Sequence, residues 1–286
     1  MYLIADSGST TCKWILVNAK GDKFEEFSTM GFNPFFHSTE FIKGELWESD
    51  DALRLKDEIT HVFFYGAGCS SKKYIKIVED AFVDFFSKAI VSIDHDLVSS
   101  AYSTYFGKPV ISCILDTGSN SSYFDGERVS EEIPSLAYIL GDEGSASHFA
   151  KQLVKEFCYK RLPDDIWEAF NSEYKLSDKD IIYKVYSEPN ANLFLAGFMP
   201  FIARFKDHPH IHNSLVNGFR EFIDIHVKCF SNWKDVEVSF IGEIAVNYKS
   251  HLVEACSKER ITLKSIVESP IDNLIAYHSK YIFPFL

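Results

Sequence analysis

One pattern occurs twice in this chain, and it restricts the possible folds more than any other feature of the sequence. Residues 3–14 read LIADSGSTTCKW, and residues 111–126 read ISCILDTGSNSSYFDG. Each stretch begins as an apolar strand, reaches an aspartate (Asp6 or Asp116), passes through a turn of glycine and small hydroxyl residues, and continues as a second strand. An internal repeat with one copy in each half predicts two related lobes that each begin with a β-hairpin.

The remaining sequence alternates between strand and helix patterns. Short apolar runs alternate with stretches of helical periodicity in the first half, and the second half is mostly helical with two further strands. This pattern predicts an α/β protein. The boundary is expected near Gly107, so that residues 1–107 form an N-terminal lobe and residues 108–286 a C-terminal lobe. The last predicted helix, 271–281, could instead pack back on the first lobe.

The composition argues against several classes of function. Of the 286 residues, 41 are acidic and 29 are basic, which gives a net charge of -12. This balance disfavours nucleic acid or an anionic membrane as the main partner. The six cysteines are scattered without a CxxC pair, so reduced thiols are expected rather than disulfides or a zinc site. No signal peptide and no membrane-spanning run is predicted, which favours a cytoplasmic protein.

The two turns have the chemistry of a phosphate site. Glycine and small hydroxyl residues present several N–H and O–H donors to one point. An aspartate at the end of the preceding strand, Asp6 or Asp116, could hold Mg²⁺ through water and offset the phosphate charge. Each turn leads into a strand and no GxxxxGK[ST] motif occurs, so neither turn is a P-loop. A single such turn would also be an ordinary hairpin turn, and it is the repetition that favours phosphate binding.

Two other interpretations of the polar residues are weaker. Pairs of Asp-Ser/Thr-Gly turns also provide the catalytic carboxylates of pepsin-like proteases, but those proteases are all-β and the second half of this chain is strongly helical. The segment KDHPHIH at 206–212 could bind a metal ion through its histidines. Their spacing matches no zinc pattern, so a helix–helix connection broken by Pro209 is the better prediction.

Four further segments are informative besides the two hairpins: GFNPF at 31–35, IDHDLVSSAY at 93–102, LGDEGSASHFAKQ at 140–152 and FIGEIAV at 240–246. Together with the hairpins they resemble the superfamily of actin, sugar kinases and heat-shock ATPases. More narrowly, they resemble the BadF/BadG/BcrA/BcrD ATPase family, which includes N-acetylglucosamine kinase. The resemblance implies two lobes of ribonuclease H-like (actin-like ATPase) fold, each with a mixed sheet and flanking helices, and a cleft between them.

The resemblance also implies a function and a set of site residues. The implied reaction is the phosphorylation of a sugar hydroxyl by ATP with Mg²⁺, and the implied substrate is N-acetylglucosamine or a related amino sugar. Asp96 would be the general base, Asn33 and Asp142 would hold sugar hydroxyls, and Asp6 and Asp116 would orient Mg²⁺ through water. The residues implied to bind the phosphates or the adenosine of ATP are Ser7, Gly8, Ser9, Thr10, Thr11, Thr117, Gly118, Ser119 and Gly242.

Three positions depart from the family pattern, and one assignment has a competitor. Ser135 and Ala137 stand where the family often has Gly-Leu-Gly, so their side chains would line and narrow the sugar pocket. Glu243 stands in the adenosine motif where a small residue is usual. Asp96 follows a strand and could be an ordinary helix N-cap, and Asp94 is a nearby alternative for the base.

The resemblance leaves a second function open, namely an ATPase of the same fold that drives a partner protein, as dehydratase activators do, without a sugar substrate. Some of those relatives carry an iron–sulfur cluster between subunits, which needs clustered thiolates that these scattered cysteines do not provide. A nucleotide-binding sensor without turnover is a third interpretation. The sequence determines neither the sugar, nor the hydroxyl phosphorylated, nor the oligomeric state, for which a homodimer is one option.

Overall fold

The computed structural model describes residues 1–8, 11–189, 191–268 and 270–286. These residues divide into two compact units. The first unit comprises Met1–Tyr105 together with the C-terminal helix, and the second comprises Phe106–Glu268. The sequence left open whether the last helix belongs to the second lobe or packs on the first. In the structure it belongs to the first unit.

The first unit is built on a five-stranded mixed sheet. Its strands are β1 (Tyr2–Ser7), β2 (Thr11–Val17), β3 (Lys23–Met30), β4 (His61–Gly66) and β5 (Ile90–His95). The order is β3-β2-β1-β4-β5, in which β1, β2 and β3 are antiparallel and β4 and β5 run parallel to β1. Its helices are α1 (Thr39–Glu48), α2 (Asp50–Leu55), α3 (Lys72–Phe85), α4 (Asp96–Thr104) and the C-terminal helix (Pro270–Tyr281), which a 3-10 turn (Phe283–Phe285) follows.

The first sheet is covered on both faces, which explains why β1 is apolar at successive positions. Side chains alternate between the two faces along a strand, so Leu3 and Ala5 join one core, whereas Ile4 joins the core on the opposite face. Trp14 lies fully buried in the first core and stacks on Phe27. The C-terminal helix supplies part of the second core, and this burial holds it on the first unit.

The second unit has a five-stranded mixed sheet and most of the helices. Its strands are β6 (Val110–Leu115), β7 (Ser119–Phe124), β8 (Val129–Ser130), β9 (Glu237–Ile241) and β10 (Leu263–Val267). Its helices are α5 (Ala137–Leu140), α6 (Ala146–Cys158), α7 (Asp164–Tyr174), α8 (Asp178–Tyr186), α9 (Ala191–Ala196), α10 (Met199–Arg204), α11 (Pro209–Phe222), α12 (Glu243–Asn247) and α13 (Lys249–Glu259). One turn of π-helix, Ile223–Val227, extends α11.

The two sheets share one topology. The second has the order β10-β9-β6-β7-β8, with β6, β7 and β8 antiparallel and β9 and β10 parallel to β6. Each unit thus begins with a hairpin and a third antiparallel strand and adds two parallel strands on the other side of the first strand. The prediction of two related α/β lobes is confirmed. Among the helices of the described ranges, none combines the length and the apolarity needed to cross a membrane.

Candidate functional site

The first hairpin turn follows β1 directly. Asp6 is the last residue but one of that strand, between hydrogen-bonded neighbours on both sides. The Gly8 N–H donates to the Thr11 carbonyl at 3.0 Å and closes the turn. Ser9 and Thr10, two of the predicted phosphate contacts, lie outside the described residues.

The side chain of Ser7 is used inside the protein. Ser7 is 1% exposed, and its Oγ accepts the Phe32 N–H at 2.9 Å and lies 3.3 Å from the Gly8 carbonyl, to which it donates. This hydroxyl therefore ties the hairpin to the GFNPF segment. Only the backbone of Ser7 is left for the phosphate contact predicted from the sequence.

The GFNPF segment holds Asn33 in a defined position. Asn33 is buried, and its Oδ1 accepts the Phe35 N–H at 3.0 Å in a turn typical of asparagine. Gly68, with φ +81, packs against this side chain, and a Cβ at that position would overlap Asn33 Oδ1. With the carbonyl oxygen engaged, the amide nitrogen is the group of Asn33 that can serve a ligand.

Asp96 begins α4, but it is not the cap of that helix. The N-cap position belongs to His95, whose Nδ1 lies 3.1 Å from the Leu97 backbone nitrogen. Asp96 lies one residue further on, with its side chain 27% exposed and its Oδ1 2.7 Å from His95 Nδ1. The competing carboxylate, Asp94, accepts the His95 N–H at 2.9 Å. The interpretation of Asp96 as an ordinary N-cap is therefore wrong, and its carboxylate keeps an accessible surface.

A buried serine, Ser99, connects the side chain of Asp6 to the backbone of Asp96. Ser99 Oγ donates to Asp6 Oδ1 at 2.8 Å and lies 2.9 Å from the Asp96 carbonyl oxygen. The hairpin aspartate and the start of α4 are thus joined through one side chain that is 4% exposed. Sequence reasoning missed Ser99, although its place three residues after Asp96 puts it one turn further along the same helix.

The second hairpin turn is held by the N-terminus of α6. The Ala146 N–H donates to the Asp116 carbonyl at 2.9 Å. Ser147 donates both its N–H, at 3.2 Å, and its Oγ–H, at 2.8 Å, to the Thr117 carbonyl. The Thr117 N–H in turn donates to Asp116 Oδ1 at 2.9 Å. The GDEGSAS segment therefore fixes the shape of this turn, a role that the sequence analysis did not foresee.

Asp142 lies against the second hairpin. An added Cβ on Gly118 would meet Asp142 Oδ2 at 3.0 Å, and the Ser119 N–H lies 3.5 Å from Asp142 Oδ1. Burial raises the pKa of Asp142 to about 6, the Ser119 N–H and Lys151 oppose this rise, and the charge of Glu143 adds to it. The absence of a side chain at Gly118 thus makes room for a carboxyl that exchanges its proton near neutral pH.

Glu143, which the sequence analysis left unassigned, pairs with a histidine from the π-helix. Glu143 Oε2 lies 2.9 Å from His226 Nε2, and the two side chains are 15% and 5% exposed. Burial alone would raise the pKa of Glu143, but the hydrogen bond to His226, a backbone hydrogen bond and the charges of His226 and His148 together lower it. The backbone of the same two residues anchors β7, because Ser119 Oγ donates to the Glu143 carbonyl at 2.7 Å and Ser121 Oγ to the His226 carbonyl at 2.6 Å.

Gly242 and Glu243 follow β9, the parallel neighbour of β6. Gly242 has φ +112 and ψ 161, a conformation that is essentially restricted to glycine, and a Cβ there would overlap the Leu115 carbonyl oxygen. Glu243 is the first residue of α12, and its Oε1 accepts from Asn247 Nδ2, one turn later in the same helix, at 3.3 Å. Partial desolvation raises the pKa of Asp116, and the charge of Glu243 adds to this rise.

Ser135 and Ala137 lie in an exposed segment. Ala137 begins α5 with φ +56, a left-handed conformation that favours glycine. The chain therefore keeps a glycine-like backbone at a position where the resembling family often has glycine.

In the HPHIH segment, the three histidines pair with three different acidic residues, His208 with Asp165, His210 with Glu156 and His212 with Glu254.

Two units of this topology, each with a strand–Asp–turn–strand hairpin and a following parallel strand, define the actin-like ATPase fold. Comparison with family models and with curated proteins gives no match. Among solved structures, a protein from Porphyromonas gingivalis provisionally assigned as an N-acetylglucosamine kinase is 34% identical, with a TM-score of 0.92 over 98% of this chain and 99% of that chain. The chain belongs to the family of this protein, within the sugar-kinase group of the actin-like ATPase superfamily.

More distant structures share the fold. A Chromobacterium violaceum protein, also provisionally assigned as an N-acetylglucosamine kinase, is 13% identical with a TM-score of 0.71 and covers 96% of this chain and 98% of its own. A glucokinase of the ROK family from Streptomyces griseus, in complex with glucose and AMPPNP, is 10% identical with a TM-score of 0.51 and covers 96% and 97%. The narrower resemblance to the BadF/BadG/BcrA/BcrD family stays a prediction.

Proposed function

We propose that the protein is an ATP-dependent sugar kinase of the BadF/BadG/BcrA/BcrD type that phosphorylates a hydroxyl of N-acetylglucosamine or a related amino sugar. The observation that carries the proposal is the connection of Asp6 to Asp96 through Ser99 in the first unit. Ser99 ties the carboxylate at a phosphate-type turn to the backbone of the helix start, and that helix start carries a second, partly exposed carboxylate. The likeness to the Porphyromonas gingivalis protein supports the substrate class.

In the proposed reaction, Asp96 accepts the proton of the sugar hydroxyl as that oxygen attacks the γ-phosphorus of ATP. The bond between the γ-phosphorus and the oxygen that bridges it to the β-phosphate breaks, and ADP leaves. The protein contributes chiefly by positioning the two substrates and by neutralising charge. Asp96 suits the role of base because it is the first residue of α4 and not its N-cap.

The two turns are the proposed contacts to the phosphates, although the Gly8 and Thr117 N–H groups each already donate a hydrogen bond within their own turn. The Ser119 hydroxyl donates to the Glu143 carbonyl and the Ser7 hydroxyl is likewise engaged, so both would act through the backbone. The full proposed set is Ser7, Gly8, Ser9, Thr10, Thr11, Thr117, Gly118 and Ser119, with Gly242 beneath the adenosine.

Mg²⁺ would neutralise charge on the transferred phosphoryl group. In proteins it is held by one or two carboxylates and keeps several waters. Asp6 and Asp116 fit this requirement, since each is a carboxylate at the end of the first strand of its unit. We propose that they hold the ion through water.

We propose that the sugar is held by Asn33, Asp142, Ser135 and Ala137. Asn33 offers its amide nitrogen, because its Oδ1 is engaged by Phe35. Asp142 can accept or donate a hydrogen bond near neutral pH, since its pKa is raised to about 6 by burial. Ser135 and Ala137 are proposed to narrow the pocket for the sugar.

The test compares wild type with Asp96→Asn and with Asp94→Asn as the matched control. ADP formation is measured with N-acetylglucosamine, N-acetylmannosamine, glucosamine and glucose, and the phosphorylated product is identified by ³¹P NMR. We expect turnover that depends on an amino sugar and falls at least about 100-fold in Asp96→Asn. Asp94→Asn changes a neighbouring exposed carboxylate outside the proposed machinery and should stay within a few-fold of wild type.

Two results would contradict the proposal. ATP turnover that no sugar stimulates would indicate the partner-driven ATPase. Nucleotide binding without any turnover would indicate a sensor.

A further inference from the structure

We propose that His95 is a positioning residue for Asp96: its Nδ1–H donates to Asp96 Oδ1, which directs the other carboxylate oxygen to the substrate proton. The proposal rests on the proposed function, because it assigns Asp96 the role of base. It concerns a residue that the sequence analysis did not consider.

Two contacts meet at one nitrogen. His95 Nδ1 lies 3.1 Å from the Leu97 backbone nitrogen and 2.7 Å from Asp96 Oδ1. The side chains of His95 and Asp96 are 19% and 27% exposed, so solvent competes only in part for the pair. A separation of 2.7 Å is typical of a hydrogen bond between N–H and a carboxylate.

An imidazole nitrogen carries either a proton or a lone pair, so the two contacts need different tautomers. With a lone pair, Nδ1 accepts from Leu97, and the short approach of a carboxylate oxygen is then repulsive. With a proton, Nδ1 donates to Asp96 Oδ1, and the N–H of Leu97, a residue that is 1% exposed, loses its partner. The shorter distance and the charge of the carboxylate favour the protonated Nδ1 in the reactant state.

The hydrogen bond from His95 restricts the orientation of the Asp96 carboxylate. A carboxylate on the first residue of a helix has several rotamers, and a fixed donor at one oxygen selects among them. Oδ2 is then the oxygen that receives the proton of the sugar hydroxyl. Once it has done so, the carboxyl is neutral and the bond from His95 loses its charge assistance. The positioning therefore acts before and during proton transfer.

The competing explanation is that His95 serves only as a helix cap, and two variants separate the two roles. Serine is a good N-cap, so His95→Ser keeps a partner for Leu97 but is too short to replace the imidazole contact with Asp96. Asparagine supplies both an oxygen for the cap and an N–H₂ group for Asp96. Both variants should fold like wild type, which thermal unfolding checks.

Kinetics give the first readout. We expect kcat of His95→Ser to fall about tenfold with KM for sugar and for ATP within about twofold, and His95→Asn to recover most of the loss. In an Asp96→Asn background, His95→Ser should cause no further loss, because its effect passes through Asp96. A His95→Ser enzyme with wild-type kcat, or an equal fall in both variants, would overturn the proposal while leaving the kinase function intact.

The second readout does not depend on activity. ¹⁵N NMR of the imidazole should detect the proton on Nδ1 in wild type. In Asp96→Asn the proton should move to Nε2, because the new amide can donate to Nδ1. An unprotonated Nδ1 in wild type would refute the inference. Absence of sugar-dependent turnover in wild type would instead refute the proposed function.

Discussion

Replacing Asp142 by asparagine should make the protein more stable at neutral pH while weakening its function. Burial raises the pKa of Asp142 from 3.8 to about 6. The folded state therefore binds more protons than the unfolded chain between these two values, and stability falls as the pH rises through this window. Asparagine has no proton to lose, so the variant escapes this loss.

The size of the effect follows from the pKa. A rise of this extent corresponds to about 3 kcal/mol at about 1.4 kcal/mol per pH unit. Asp142 is only partly buried, and solvent screening reduces the expected gain of Asp142→Asn to about 1–2 kcal/mol. The gain should be present above about pH 6 and absent below about pH 4, where the aspartate is protonated in both states.

Urea unfolding of wild type and Asp142→Asn at about pH 4 and about pH 7.5 measures this difference. Asp125→Asn is a control of opposite sign, because the N–H groups of Arg128 and Glu127 lower the pKa of this exposed carboxyl. A lowered pKa contributes stability that is lost only as the pH falls through the folded-state value, below 3.8. Asp125→Asn should therefore be less stable than wild type at the higher pH, and most of this deficit should remain at about pH 4.

The reasoning fails if Asp142→Asn shows no gain at the higher pH, or the same gain at both values. Because Asp142 is also proposed to hold the sugar, the stabilised variant should have a raised KM for the sugar. An unchanged KM would remove Asp142 from the proposed site without affecting the stability argument.

Two further substitutions test the architecture of the site. Ser99→Ala removes the donor to Asp6 and should lower kcat/KM about tenfold, as expected for a hydrogen bond to a charged group. The control is Ser103→Ala, which should leave the kinetics unchanged because the buried Ser103 hydroxyl has no partner among the described residues. Equal effects of the two substitutions would contradict the role of Ser99. Gly242→Ala should destabilise the protein by about 2–4 kcal/mol in urea unfolding, since conformational strain adds to overlap with a strand carbonyl. Gly107→Ala, at φ +88 in open space, carries the strain alone and should cost about 1 kcal/mol, so a similar loss in both variants would refute the overlap argument.

The residues that could be identified from the sequence are those that belong to a motif of adjacent positions. A strand, an aspartate and a turn of small residues form a local pattern, and its repetition at Asp6 and Asp116 predicted the two related lobes that the structure has. The α/β class followed from periodicity in the same way. The structure agrees with the hairpin motif and with the periodicity because both depend on backbone geometry within a few residues.

Side-chain partners depended on the tertiary structure. The hydroxyl of Ser7 turns inward to Phe32, and Ser99 reaches Asp6 across 93 positions of the sequence. Glu143 meets His226 across 83 positions. No local pattern specifies such pairs, because strand register and helix packing select the partner.

The sequence by itself determined the repeated hairpins, the acidic residues at their turns and the fold class, since each arises from short-range preferences of the chain. Only the tertiary structure decided that His95 occupies the N-cap position of α4, that α6 holds the second turn, and that the C-terminal helix packs on the first sheet. The physical reason is that in each case several donors, capping residues or apolar faces of the chain compete for the same partner. Each competition is decided by which groups the whole fold brings within hydrogen-bond distance or buries together.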